Sequence, residues 1–139
     1  MELSNLEIEK LIFGGMGLAK KEGLAVFVEG GIPGEIVDAE IIRKNKSHIK
    51  AKIKNVIVPS KNRRKPFCPY FNPCGGCDLQ FFEYENLIKE KENILKEIFS
   101  TFDNLKIKPF VKSPEIKAYR CKTQYPATET KNSKKVLIG

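Results

Sequence analysis

The sequence lacks the features that would place it in a membrane or outside the cell. No apolar run approaches the roughly 20 residues that a helix needs to cross a bilayer, so no membrane partner is expected. The polar, acidic start MELSNLEIEK does not have the basic and then apolar regions of a secretory signal. With 41% apolar and 30% charged residues, the composition is that of a globular rather than a disordered chain. These features predict a cytoplasmic protein.

Cysteine is scarce and unevenly placed. Only four of the 139 residues are cysteines, and three of them, Cys68, Cys74 and Cys77, fall within ten residues of one another. A cytoplasmic chain keeps its thiols reduced, so structural disulfides are the weaker interpretation of these residues.

Acidic residues are absent from one long segment. Residues 1–42 carry three Lys or Arg against eight Asp or Glu, whereas residues 43–65 carry ten basic residues and no acid. The net charge of +8 is therefore concentrated in a short part of the chain. Because a concentrated positive field attracts polyanions, this segment is a candidate for contact with nucleic acid.

The first 59 residues show several short strand patterns, separated by Gly and Pro turns and not interrupted by a helix pattern. Such a series predicts a small closed β-barrel. The alternation is clearest in HIKAKIKNVIV, residues 48–58, because side chains alternate across a strand. It places Ile49, Ala51 and Ile53 on one face and Lys50, Lys52 and Lys54 on the other. A glycine group, Gly14, Gly15 and Gly17, lacks the Lys-Ser/Thr of a phosphate-binding P-loop and is interpreted as relieving a tight corner of the barrel.

Beyond the barrel, the pattern changes three times. Residues 60–82 form a linker and a cysteine-rich loop, in which Pro69 and Pro73 oppose helix formation. Residues 83–103 have apolar residues at steps of three and four, which predicts an amphipathic helix. Residues 104–139 have the character of an incomplete β-domain. The predicted fold class is thus mainly β with one long helix.

The basic segment supports two interpretations. Lys50, Lys52 and Lys54 line one strand face, and Arg63, Arg64 and Lys65 follow soon after. An exposed strand face is usually polar, so a solvated surface is one interpretation. The absence of any acid in the segment favours the other, contact with RNA phosphates. The nearby Phe67, Tyr70 and Phe71 are candidates for stacking on unpaired bases, or for a place in the core.

Three thiols in one loop most often indicate a metal centre, because thiolates repel one another unless a cation holds them. Cys74 and Cys77 lie two residues apart along CGGC, and Gly75 and Gly76 let the backbone pass close to the sulfurs. Structural zinc usually spaces its first pair by two to four residues, but five separate Cys68 from Cys74. The spacing favours an iron–sulfur cluster, with zinc and simple buried thiols as alternatives. A helix starting within residues 78–82 would aim its positive end at such a cluster.

Three segments of the sequence resemble a known protein family. The segments GEIVDAEI, PSKNRRKPFCPYFNPCGGCDLQFFEYENLIKEKENIL and YRCKTQYPA are similar to the N-terminal part of the iron–sulfur-containing RNA (uracil-C5)-methyltransferases. The similarity runs over nearly the whole chain, and CGGCDLQ is its most specific piece. It implies an OB-like, RNA-binding TRAM barrel over residues 1–59. It also implies that Cys68, Cys74 and Cys77 are three ligands of a [4Fe-4S] cluster, and that a central β-domain begins near YRCKTQYP.

The resemblance also implies what this chain does not carry. The fourth cluster cysteine of the family lies beyond the end of this sequence, and Cys121 does not match it, although it is an alternative fourth ligand. The site for S-adenosylmethionine, the nucleophilic cysteine and its base belong to a catalytic domain that is missing here. No catalytic residue is therefore assigned, and the chain alone is expected to be inactive.

Three hypotheses follow from the sequence. The first is a monomeric, truncated N-terminal portion of an RNA uracil-C5 methyltransferase that acts on ribosomal or transfer RNA. The second is a free-standing TRAM-type RNA-binding module with a zinc-stabilised knuckle. The third is a structural or ribosome-associated barrel in which the cysteines only stabilise the fold.

Overall fold

Six strands in the first 58 residues form one sheet. The structure is a computed structural model that describes residues 2–122, 124–125, 127–129 and 134–138. The strands are β1 (Glu2–Glu7), β2 (Lys10–Leu11), β3 (Gly17–Lys21), β4 (Leu24–Glu29), β5 (Ile36–Lys44) and β6 (His48–Val58). They are followed by one helix, α1 (Tyr84–Ile98), and by a separate pair of short strands, β7 (Ala127–Glu129) and β8 (Val136–Ile138).

The sheet curls into a barrel-like unit because its first segment bends. The strand order is β1-β5-β6-β4-β3-β2, and all pairs are antiparallel except β4 with β6. β1 pairs with β5 at one edge and β2, two residues further along the chain, pairs with β3 at the other. At the bend, the amide of Ile8 donates to Glu35 O at 2.9 Å and the amide of Glu9 donates to Leu18 O at 2.8 Å. The two edges are thereby brought together.

The barrel is filled by the inward faces of its strands. The predicted alternation in β6 is present, with Ile49 and Ala51 buried and Ile53 packed against them. The buried residues of this first apolar core are Leu6, Ile8, Ala19, Val26, Val28, Val37, Ala39, Ile49 and Ala51. The prediction of a mainly β chain, with a barrel-like sheet and one helix, is confirmed.

The glycine group sits at a corner of the barrel, as its interpretation requires. Gly14 and Gly15 have φ angles of +93° and +80°, which a side chain would strain. Gly17 begins β3, and a Cβ added there would lie 2.7 Å from Ile8 Cγ2 and 3.1 Å from Gly31 O. The lack of a side chain thus lets β3 approach two neighbouring segments. β3 was not among the strands identified from the sequence, in which Gly17 was assigned only to the glycine corner.

Helix α1 packs its first half against the barrel. Leu87 is buried in a second apolar core together with Leu11, Ile32, Phe81 and Phe82. The helix ends at Ile98, five residues before the predicted limit, and Phe102 beyond it is exposed. Within the described residues, this helix is neither long enough nor apolar enough to cross a membrane.

Candidate metal loop and nucleic-acid surface

The cysteine loop, residues 60–82, is closed at its base by main-chain contacts. Arg63 and Phe82 form an isolated antiparallel bridge. The amide of Arg64 donates to Phe81 O at 2.9 Å, and the amide of Glu83 donates to Asn62 O at 2.8 Å. The two ends of the loop are therefore paired like a short ribbon, and the segment that carries the cysteines projects from it.

A fully buried carboxylate joins this base to the barrel. Glu35 has no exposed surface, and its Oε1 and Oε2 accept from Arg63 Nε at 2.5 Å and Nη2 at 2.6 Å. Its two oxygens also accept from the amides of Ser60 at 3.2 Å and Ile32 at 3.1 Å. Arg63 Nη2 further donates to Gly30 O at 2.7 Å. Four donors thus compensate the charge of Glu35, as burial of a carboxylate requires.

The contact continues from Arg63 into the cysteine loop through aromatic rings. The guanidinium carbon of Arg63 lies 5.1 Å from the ring centre of Phe81, within the range of a cation–π contact. Phe81 in turn meets Phe71 edge to face, with 5.9 Å between ring centres. Because Phe71 lies between Cys68 and Cys74 in the chain, the loop is anchored from inside as well as at its base.

The structure brings the three predicted metal ligands to one place. Cys68, Cys74 and Cys77 are free thiols that line a single depression of about 20 Å³. Cys68 is half-buried, and its amide donates to Gln80 Oε1 at 3.3 Å, while Cys74 and Cys77 are exposed. Cys121 is also free and exposed, and is not among the residues described as lining that depression.

The donor set suits an iron–sulfur cluster in its chemistry. All three side chains are thiols, the ligands that such clusters use. A Cβ on Gly76 would lie 3.4 Å from Cys74 Sγ, so the backbone passes close to that sulfur, as expected for CGGC. In the part of the chain that the structure describes, no three His, Cys, Asp or Glu side chains converge closely enough to hold an ion as they stand.

The expected helix dipole is not available to the cysteines. Helix α1 begins at Tyr84, after the predicted residues 78–82, and its N-cap is Glu83. The Glu83 carboxylate accepts from the amide of Asn86 at 3.0 Å, and this hydrogen bond lowers the pKa of Glu83 below its usual 4.5. A carboxylate of the protein itself therefore occupies the positive end of the helix.

The lysine face of β6 is less positive in space than in sequence. Lys50, Lys52 and Lys54 do face outward, but acids of residues 1–42 lie near them on the same sheet, on β4, β5 and β1. Lys50 Nζ lies 2.8 Å from a carboxylate oxygen of Glu29, and Lys54 Nζ lies 2.5 Å from one of Glu2. The hydrogen bond to Glu2 raises the pKa of Lys54.

The remaining predicted RNA ligands are divided between two roles. Arg63 is committed to Glu35, and Arg64 Nη2 lies 2.8 Å from Glu83 on the surface. Lys52 and Lys65 are exposed and have no ion-pair partner among the described residues. Exposed ion pairs contribute about 0–1 kcal/mol, so a phosphate can replace the carboxylate at Lys50, Lys54 or Arg64. Arg63 is different because its partner is fully buried.

Glu35 is the important residue that the sequence analysis missed. In GIPGE it follows a Pro-Gly turn and is flanked by Ile32 and by Val37, both fully buried. The apolar residues around Glu35 are the only sequence signal for its burial, and a fully buried Glu needs a partner. That partner, 28 residues away, was not identifiable from spacing.

Comparison with known proteins finds relatives of this chain among the RNA methyltransferases. It is 34% identical over 129 residues to an uncharacterized RNA methyltransferase of Aquifex aeolicus, which covers 91% of this chain and 30% of that protein. It is also 39% identical over 94 residues to the 23S rRNA (uracil(1939)-C(5))-methyltransferase RlmD of Bordetella avium, covering 68% of this chain and 20% of the relative. The chain is a homologue of the N-terminal part of the RNA (uracil-C5) methyltransferases.

The resemblance drawn from the sequence is thus confirmed. A third relative, RlmD of Tolumonas auensis, is 32% identical over 125 residues, which cover 88% of this chain and 28% of that enzyme. The chain spans about 30% of the length of the uncharacterized RNA methyltransferases of Aquifex aeolicus and Clostridium tetani. No family model matches the chain.

Proposed function

We propose that this chain is the RNA-binding and [4Fe-4S]-binding part of an S-adenosylmethionine-dependent RNA (uracil-C5)-methyltransferase. One observation carries the proposal: three free thiols line a single depression in a chain whose relatives are RNA methyltransferases. The barrel, with a TRAM-like role, docks the RNA. The catalytic steps and the methyl donor belong to a domain outside the residues described here.

The proposed RNA contacts are exposed cations of β6 and of the first part of the cysteine loop. Lys52 and Lys65 form no ion pair in the described part of the chain, and Lys50, Lys54 and Arg64 are held only by exposed ion pairs. These five side chains supply phosphate contacts, which position the RNA without reading its sequence. Arg63 contributes indirectly, because its pairing with Glu35 holds the base of the cysteine loop against the barrel.

The proposed ligands of the cluster are Cys68, Cys74 and Cys77. A bound cluster would cross-link a loop that has neither strand nor helix of its own, and methyl transfer requires no redox step from it. The fourth ligand is proposed to lie outside this chain. Cys121 is the alternative, and because it is not among the residues that line the common depression, the external ligand is favoured.

RNA binding is tested by fluorescence anisotropy with the whole chain. The probes are a labelled fragment of 23S rRNA, a transfer RNA and a DNA duplex, each titrated over a range of salt concentrations. Affinity for RNA is expected to fall steeply with salt, with a slope of about −0.7 per phosphate contact for single strands. A nearly flat salt dependence, or equal affinity for DNA and RNA, would reject an RNA-docking barrel.

The cluster is tested by serine substitution after anaerobic preparation. Cys74→Ser and Cys77→Ser are expected to lose the broad visible absorbance of an iron–sulfur cluster, and Cys121→Ser, which removes an equally exposed thiol, is expected to keep it. Loss in Cys121→Ser would instead identify Cys121 as the fourth ligand and overturn the external assignment.

A further inference from the structure

The outer face of the barrel carries two neighbouring rows of side chains that differ sharply in charge. The first row crosses five strands and is called here the cation–aromatic row. Cross-strand pairing sets its members, which are Lys10, Leu18, Phe27, Lys50 and Arg43. The adjacent row contains three carboxylates around one lysine: Glu29, Lys52, Glu40 and Glu2.

Two positive charges face each other at one end of the cation–aromatic row. Arg43 on β5 pairs directly with Lys50 on β6, and like charges in this arrangement are destabilising. A register shift between Ile41 and Arg43 makes this possible, because Ile42 is the extra residue and Arg43 returns to the outer face. Lys50 has Glu29 as its partner at 2.8 Å. Arg43 has no ion-pair partner within the described residues.

The hairpin between β5 and β6 adds further cations at the same end. Lys44 and Lys46 are exposed, and neither forms an ion pair in the part of the chain that the structure describes. Asn45 and Ser47 hold the ring of His48 through contacts of 2.8 Å to Nε2 and 3.1 Å to Nδ1. The hairpin that carries these cations is therefore held by side-chain contacts of its own.

An aromatic surface lies among these charges. Phe27 on β4 is half-buried and points to the outer face, opposite Lys50. Its ring centre is 5.3 Å from that of His48, with the rings tilted by 48°. Alternate residues of β4 on the inner face, Val26 and Val28, are fully buried in the core. Phe27 is thus an aromatic residue on the solvent-facing side of the sheet, with Lys50 opposite it and Arg43 one strand further on.

We propose that the cation–aromatic row and the hairpin form a nucleotide subsite for single-stranded RNA. The phosphates contact Arg43 and Lys46, and an unpaired base stacks on the exposed part of the Phe27 ring. The subsite rests on the proposed function and adds the location and the strandedness of the RNA. A base in a duplex is already stacked on its neighbours, so the aromatic contact selects a single strand.

Two variants test the subsite by anisotropy with a short labelled single-stranded RNA. Phe27→Leu keeps an apolar side chain and is expected to weaken binding about tenfold, since stacking on an aromatic ring is lost. The double variant Arg43→Gln/Lys46→Gln is expected to lower the slope of log affinity against log salt by about 0.7 for each lost phosphate contact. Lys89→Gln/Lys96→Gln removes the same charge from exposed positions of α1 and is expected to bind like the unmodified chain.

The outcomes separate the subsite from the proposed function. Loss in both test variants, with a fluorescent base analogue in the RNA reporting stacking in the unmodified chain only, supports the subsite. Unchanged binding in both variants, with loss in Lys52→Gln/Lys65→Gln instead, overturns the subsite and leaves RNA docking in place. If the unmodified chain binds no RNA, the docking role itself fails. Urea unfolding of Phe27→Leu identifies any loss of affinity that comes from loss of fold.

Discussion

The barrel and the cysteine loop reach order in different ways. In the barrel, every strand is paired on at least one side, and nine buried residues fill the interior. The cysteine loop has one isolated bridge, and two of its three thiols are exposed. Its position depends on a few contacts, chiefly Glu35 with Arg63 and Phe81 with Phe71. A segment built in this way gains order from a ligand more readily than a strand does, because fewer of its contacts are already made.

Removing the buried charge of Glu35 is expected to destabilise the contact between the barrel and the cysteine loop more than any other change considered. Glu35→Gln leaves the guanidinium of Arg63 without its counter-charge in a mostly buried site. Loss of one partner from such a pair is expected to lower the free energy of unfolding by about 3–5 kcal/mol. Urea unfolding measures this change.

The matched control is Glu9→Gln, which removes an exposed carboxylate 3.1 Å from Lys20 Nζ. Its cost is expected to be below about 1 kcal/mol, as for other exposed pairs. Equal effects of Glu35→Gln and Glu9→Gln would mean that the buried pair does not anchor the cysteine loop.

A methyl group at Gly17 tests how closely the strands of the barrel are packed. In Gly17→Ala the new Cβ meets both Ile8 and the Gly31 backbone, so the strands must shift. Overpacking of this kind is expected to cost about 2 kcal/mol. Gly14→Ala is the control, because open space surrounds that position and only its φ of +93° is unfavourable, at about 1 kcal/mol. Thermal unfolding compares the two variants. A larger loss of stability in Gly14→Ala than in Gly17→Ala would contradict close packing at Gly17.

The smallest expected effect is the pH dependence of the stabilisation that the N-cap residue Glu83 gives to α1. The pKa of Glu83 is lowered, chiefly by the hydrogen bond from the Asn86 amide and also by the charge of Arg64. A lowered pKa in the folded state stabilises the fold above the ordinary value of 4.5, and this stabilisation disappears as the pH falls through the lower folded value. The difference in unfolding free energy between the unmodified chain and Glu83→Gln is therefore expected to shrink below pH 4.5. A difference that stays constant with pH would exclude this role.

Periodicity and turn chemistry were sufficient to predict most of the barrel. The inward face of β6 and the apolar face of β5 follow from alternation alone. β3 was missed because its short sequence GLAKK follows a glycine group that has the character of a loop. Simple alternation does not hold across the bend at Ile8 and Glu9, because the face that points inward changes there and both Ile8 and Leu11 are buried.

The electrostatics of the candidate site were harder to predict than its residues. The thiols were located by spacing, because they lie close together in the chain. The carboxylate partners of the cations could not be located by spacing. Glu2, Glu29 and Glu35 are 21 to 52 residues away from the Lys or Arg side chains that they contact. Charge segregation along a sequence is therefore a poor guide to charge on a sheet, where pairing brings distant strands together.

Metal analysis is the decisive experiment for the proposal that Cys68, Cys74 and Cys77 hold one iron–sulfur cluster. The whole chain is prepared anaerobically, and its iron, acid-labile sulfide and zinc are quantified per chain. About four irons and four sulfides per chain are expected, as for a [4Fe-4S] cluster. One zinc per chain with neither iron nor sulfide would contradict it and favour a zinc-stabilised RNA-binding module.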